Sequence, residues 1–125
     1  MKKLLFIFLI IFSSQSFAEW ELVAESVNDK YYIDFDNIRE NGGYIYYWLL
    51  VNQKEAKKIG QFYYKSGKEY VQADCKIFRN KVLQYFIYPE EFGTGNLIDM
   101  VDGNGSWFYP PPKTVGDSIL KRVCE

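Results

Sequence analysis

Oxygen-bearing side chains crowd together at three places in this chain: Asp34 and Asp36 in YYIDFDN, Glu90 and Glu91 after Pro89, and Asp99, Asp102 and Asn104 in DMVDGNGS. Two carboxylates can divide the roles of acid and base around a scissile bond, and a run of oxygens can hold calcium. Neither chemistry is well served here. Asp34 and Asp36 follow a short strand-like stretch and suit the capping of a turn. Glu90-Glu91 reads as the start of a solvated loop. DMVDGNGS lacks the repeated acidic spacing and closing glutamate of a calcium loop, and Gly93-Thr94-Gly95 lacks the third glycine of a phosphate cradle. The chain has no histidine, which removes the usual general base and the commonest metal ligand. No serine sits in a nucleophile elbow. These residues point away from an enzyme, and neither cofactor nor metal is expected.

The remaining reactive groups are two cysteines, Cys75 and Cys124. Their fate depends on compartment. The chain opens MKKLLFIFLIIFSSQSFAEW: two lysines, an apolar run from Leu4 to Phe12, then small residues at Ser16 and Ala18. This is the build of a secretory signal peptide over 1–18, with cleavage expected between Ala18 and Glu19. The run would span only about 14 Å as a helix, against a hydrocarbon core of roughly 30 Å. No cysteine lies beside the cleavage point to carry a lipid, so no membrane anchor is expected afterwards. In an oxidising destination, two cysteines pair most simply with each other, and a Cys75–Cys124 disulfide is predicted.

Residues 19–125 then form one domain, periplasmic or secreted. With Lys2 and Lys3 gone, its basic side chains are outnumbered by the sixteen acidic ones. Basic residues form no long run, which gives nucleic acid and anionic membrane no electrostatic reason to be partners.

Aromatic residues make up 19% of the chain, eleven of them tyrosine, a usage that favours strands. Strands are predicted at WELVAESV (20–27), YYID (31–34), YIYYWLLVN (44–52), GQFYYKSGK (60–68, ending at Ser66-Gly67), EYVQADCKIF (69–78) and KVLQYFIY (81–88). DFDNIREN reads as a turn and QKEAKK (53–58) as a polar connector. The stretch from Pro89 to Ser106 reads as a loop, and WFY (107–109) as a last short strand. FYYKSGKEY interleaves basic and aromatic residues as nucleic-acid binders do, but an ordinary strand is the simpler reading. In 69–78, Val71, Ala73, Cys75 and Ile77 share one face. Pro110-Pro111-Pro112 stiffens the exit from the loop.

Thr114 starts a helix, with Asp117 three residues later as in a capping box. Val115, Ile119, Leu120, Val123 and Cys124 form its apolar stripe. So short a helix must dock to persist, and Cys124 lies in the docking stripe. The predicted fold is α+β: an antiparallel meander of about six strands, with a C-terminal helix packed on one face and tied by the disulfide.

The strand 44–52 is apolar on both faces, with Tyr44, Tyr46, Trp48 and Leu50 on one and Ile45, Tyr47, Leu49 and Val51 on the other. A single helix covers one side of a sheet. Tyr44, Tyr46 and Trp48 are therefore candidates for an interaction surface, a homodimer contact or a protein partner's footprint, since tyrosine and tryptophan join apolar area to a polar handle. Core packing is the other reading of the same residues.

Trp20 at the mature start, Tyr31-Tyr32-Ile33-Asp34, a strand centred on Trp48, Asp74-Cys75 and a helix ending Val123-Cys124 occur in an order that resembles the surface-adhesin protein E family. The resemblance runs across nearly all of residues 19–125. It implies an exported proteobacterial protein with an antiparallel sheet and a C-terminal helix held by a disulfide. The adhesin that gives the family its name is a dimer-forming surface lipoprotein that binds the host matrix proteins vitronectin, laminin and plasminogen, and also hemin. This chain departs from it: it has no lipid-anchor cysteine and lacks the extended lysine- and arginine-rich regions associated with ligand contacts. No contact residue carries over by position. The expected function is a non-enzymatic, protein-binding module of the Gram-negative envelope, periplasmic, with the partner unspecified. Matrix adhesion at the outer surface and hemin binding through tyrosine are the alternatives.

Overall fold

In the computed structural model, which describes residues 19–125, strands β1 (Glu21–Glu25) and β2 (Asp29–Ile33) form the first hairpin. The signal peptide expected over 1–18, ending at Ala18, lies outside the described residues. A single 3-10 turn at Phe35–Asn37 leads to β3 (Arg39–Asn41), and Gly42-Gly43, both at positive φ, turn the chain into β4 (Tyr44–Ile59). Then come β5 (Phe62–Asp74), β6 (Arg79–Tyr88), β7 (Asp99–Asp102) and helix α1 (Val115–Cys124).

All strand pairs are antiparallel, in the order β1-β2-β4-β5-β6-β7, with β3 pairing the start of β4 beyond the end of β2. The expected α+β meander with a docked helix is what forms, with seven strands rather than six. Alternation sets the two faces. Tyr47 and Leu49 of β4, Ile33 of β2, and Val71 and Ala73 of β5 are buried together beneath Ile119, Leu120 and Val123 of α1.

The helix is held at both ends. Thr114 Oγ1 accepts from the Asp117 backbone N–H at 3.2 Å, and Asp117 Oδ2 accepts from the Lys113 N–H at 3.1 Å, a reciprocal cap. Arg122 pairs with Glu21 of β1. Cys124 is bonded to Cys75 just past the end of β5, their Cα atoms 5.6 Å apart. The predicted pairing and the predicted clamp are both present.

Several segments depart from the sequence reading. QKEAKK is no connector: β4 runs through it to Ile59. Ser66-Gly67 ends nothing, because β5 passes through both. Ser66 is fully buried, donating to the Glu90 carbonyl at 2.6 Å and accepting from the Gly93 N–H at 2.8 Å. The Phe86 carbonyl comes to 3.2 Å of where a Gly67 Cβ would stand. Small residues here serve close packing, not a turn. The loop after Pro89 contains strand β7, which pairs β6 from Gln84 to Ile87. WFY supplies only one bridge, Phe108 to Asn80. Ile77 does not share the apolar face of Val71 and Ala73: β5 stops at Asp74, whose Oδ1 accepts from the Ile77 N–H at 3.4 Å, and Ile77 is 55% exposed in the turn.

Candidate functional site

The face of the sheet opposite α1 carries Tyr44, Tyr46 and Trp48, as alternation along β4 requires. Register decides what they meet. Trp48 lies opposite Tyr70 of β5, and Lys68 of β5 lies opposite Phe86 of β6. The Trp48 ring is therefore 4.8 Å from Tyr70 and 5.5 Å from Phe86, centroid to centroid, and Tyr46 stacks on Tyr70 at 6.1 Å. Tyr44 belongs to a second cluster. Its ring is 5.7 Å from Trp107, and Trp107 lies beneath the Arg79 guanidinium at 4.1 Å and the Lys81 ammonium at 4.4 Å. The three candidate residues share a face but divide between two aromatic groups. Each stays half-buried.

Leu50, on the same face, is fully buried. It sits in register between Tyr32 and Lys68, and the loop after β6 places Phe92 5.2 Å from Tyr32. One end of the face is thus closed by the chain itself, while the Trp48 region stays open.

There the face hollows into a cavity of about 540 Å³, lined by Trp20, Trp48, Tyr70, Phe86 and Tyr88, with Asp34, Asp36, Asn37, Ile38 and Arg39 along one wall and Lys68 among the rings. A volume of this size is typical of small-ligand and anchor-residue pockets. Lys68 Nζ lies 5.2 Å from the Tyr88 ring centre and 5.9 Å from that of Trp20, a cation–π environment. Gly93 makes this possible, since a Cβ there would fall 2.3 Å from Lys68 Cε. Arg39 donates from Nη2 to the Tyr70 hydroxyl at 2.7 Å. Among the described residues neither Lys68 nor Arg39 forms an ion pair.

Asp34 and Asp36 do not converge as an acid–base pair. Asp34 is buried and caps its turn, with Oδ1 accepting from the Asp36 N–H at 3.2 Å and Oδ2 from Asn37 Nδ2 at 2.6 Å. Asp36 is exposed. Among the described residues no group of three or more potential metal ligands comes together, and no helix is long and apolar enough to cross a membrane. The most perturbed carboxylate lies on the helix side: burial pushes Glu69, in register between Leu49 and Tyr85, up to about 7. Burial likewise pushes the Tyr47 phenol up, and the Glu69 charge adds to the effect.

Sequence reasoning found one strand of this site and missed its partners. Lys68, Tyr70, Phe86 and Tyr88 carry the same alternation as Trp48. Only the strand pairing shows that they stand beside it.

A family model described as surface-adhesin protein E matches residues 20–125. The chain belongs to the surface-adhesin protein E family. Solved structures of Haemophilus influenzae protein E share its fold at 17% identity: one superimposes with a TM-score of 0.70 over 89% of this chain and 87% of that chain, and a second crystal form gives 0.70 over 89% and 91%. Protein E from non-typeable Haemophilus influenzae, also 17% identical, gives a TM-score of 0.64 over 89% and 78%. No curated protein matches the chain by sequence. Family membership accounts for the sheet and its C-terminal helix.

Proposed function

We propose that this member of the surface-adhesin protein E family is an exported, non-enzymatic binding protein of the cell envelope. It resides in the periplasm and engages a protein partner through the sheet face centred on Trp48. One observation carries the reading: half-buried aromatic rings surround a cavity of about 540 Å³ on the face α1 leaves bare, with Lys68 and Arg39 on its walls. Aromatic anchors beside a cationic side chain are the usual make-up of an interface hot spot. Such a pocket suits an apolar anchor side chain of the partner with an acidic group next to it. The absence of histidine supports the non-enzymatic reading.

A photo-crosslinking residue placed at Tyr46 in the exported protein tests this. Adducts should form from Tyr46 and not from Ser118 on the exposed side of α1, and Trp48→Ala should abolish them at an unchanged protein level. Equal adducts from both positions, or none from Tyr46, would overturn the reading. An adduct with the mass of two copies makes the partner a second chain of the same protein.

The family's description as a surface adhesin supports a second reading, display at the outer surface with capture of host matrix proteins. Labelling of intact cells by a membrane-impermeant reagent separates the two. Periplasmic residence requires that labelling appear only after the outer membrane is permeabilised.

A further inference from the structure

β4 and β5 outrun every neighbouring strand. The last β2 pair on β4 is Asp29 with Gln53, and the β6 ladder on β5 begins at Ser66 with Tyr88. Lys54 is still tied to the first hairpin, its N–H donating to the Asn28 carbonyl at 2.9 Å and its ammonium pairing with Glu25 at 2.7 Å; past it the two strands continue as a hairpin arm from Glu55 to Lys65. Its ladder resumes after an irregularity with Lys57 opposite Tyr64, Lys58 opposite Tyr63 and Ile59 opposite Phe62, and closes at Gly60 with φ of 58°.

The arm sorts its chemistry along its length. Its tip carries Ile59, Phe62 and Tyr63, with Phe62 60% and Tyr63 63% exposed. Immediately behind stand Lys57 and Lys58, the latter with Nζ 6.0 Å from the Tyr63 ring centre. Lys65 follows at the base, donating to the Lys54 carbonyl at 2.7 Å. Among the described residues Lys57, Lys58 and Lys65 form no ion pair, and Glu55 is the arm's single carboxylate. The whole chain carries a formal charge of −1, so the arm is a local positive feature on a molecule without one overall.

We propose that this arm docks the protein reversibly onto an anionic phospholipid surface, its tip side chains entering the headgroup boundary and its lysines resting against the phosphates. An isolated two-stranded hairpin gains little stability from its own contacts, and exposed apolar residues backed by cations mark an interaction site. The order of chemistry favours a membrane over an acidic protein. An apolar tip ahead of a cationic collar matches the depth profile of a bilayer interface, where aromatic rings sit at headgroup level and lysine heads reach the charged layer.

Co-sedimentation of the whole protein with phosphatidylglycerol-containing vesicles, beside pure phosphatidylcholine vesicles, tests the proposal. Binding should require the anionic lipid and fall with added salt, as screening dictates. Each lysine near such a surface is worth roughly fivefold in affinity, so joint Lys57→Glu and Lys58→Glu substitution should weaken binding by roughly twenty-fivefold or more. Phe62→Ser should weaken it with the melting temperature unchanged, because Phe62 is 60% exposed and its ladder partner is Ile59 of the same arm. Phe62→Trp gives a positive readout, a blue-shifted emission on adding anionic vesicles. Absence of binding, equal binding to both vesicles, or binding that survives the lysine substitutions would overturn the proposal. So would capture of soluble polyglutamate in place of vesicles, which would make the arm a site for acidic polypeptides.

Discussion

Trp48 and Tyr70 face each other across β4 and β5 with ring centroids 4.8 Å apart, on the side of the sheet that the helix does not cover. Each side chain alone is an ordinary strand residue. Together with Phe86 they form the floor of a pocket that a cation enters from the neighbouring register position.

Removing the larger ring separates packing from recognition. Trp48→Ala should cost about 2 kcal/mol, less than for a fully buried tryptophan because the ring is half-exposed. The denaturant midpoint measures this loss. Size-exclusion with light scattering, before and after, shows whether the same substitution dissociates a dimer.

Breaking the clamp should cost more. Cys124→Ser opens a loop whose ends are 49 positions apart in sequence, worth roughly 3–4 kcal/mol on chain-entropy grounds. Limited proteolysis should then cut within α1 before the sheet. An unchanged melting temperature would mean that Ile119, Leu120 and Val123 hold the helix without help.

Ser66→Ala tests the buried serine that sequence reading took for the end of a strand. It strands the Gly93 N–H and the Glu90 carbonyl. A loss of about 1–3 kcal/mol is expected, with faster amide exchange in residues 90–95.

The pH dependence follows from two carboxyls with opposite signs. Burial holds Glu69 at about 7 against an ordinary 4.5. Between those values the folded chain keeps a proton that the unfolded chain has released, so stability falls as pH rises through this window, by at most about 3 kcal/mol. Asp117 is lowered from its ordinary 3.8, by its bond with Lys121 first and then by the Lys113 N–H. Its contribution is present above 3.8 and is lost as pH falls through its lower folded value. Melting curves should thus peak near pH 4–5 for these two groups, about where both contributions are present. Glu69→Gln should flatten the decline towards pH 7, and a decline of unchanged slope in that variant would remove Glu69 as its source.

The legible parts of this protein were those written in local pattern or in scarcity. Two cysteines leave one pairing. Thr114 with Asp117 is a capping signal whatever surrounds it. Alternation in 44–52 announced two apolar faces, and one helix was enough to say that a face would be left over. The illegible parts involve residues distant in sequence. QKEAKK (53–58) reads as a polar connector because Gln53 is polar although buried, and from Glu55 onward a strand with no ladder beyond its hairpin partner has no apolar face to display. Lys65, on the returning strand, joins Lys57 and Lys58 only once β4 and β5 are paired.

The chain's sequence determined the disulfide, the helix and the division of β4 into two faces, because each depends on residue type and short-range period. Tertiary structure alone decided that Tyr70, Phe86 and Lys68 gather at Trp48 and that the lysines form an arm. Those placements depend on strand register, and register is settled by packing across the whole sheet, not by any segment within it.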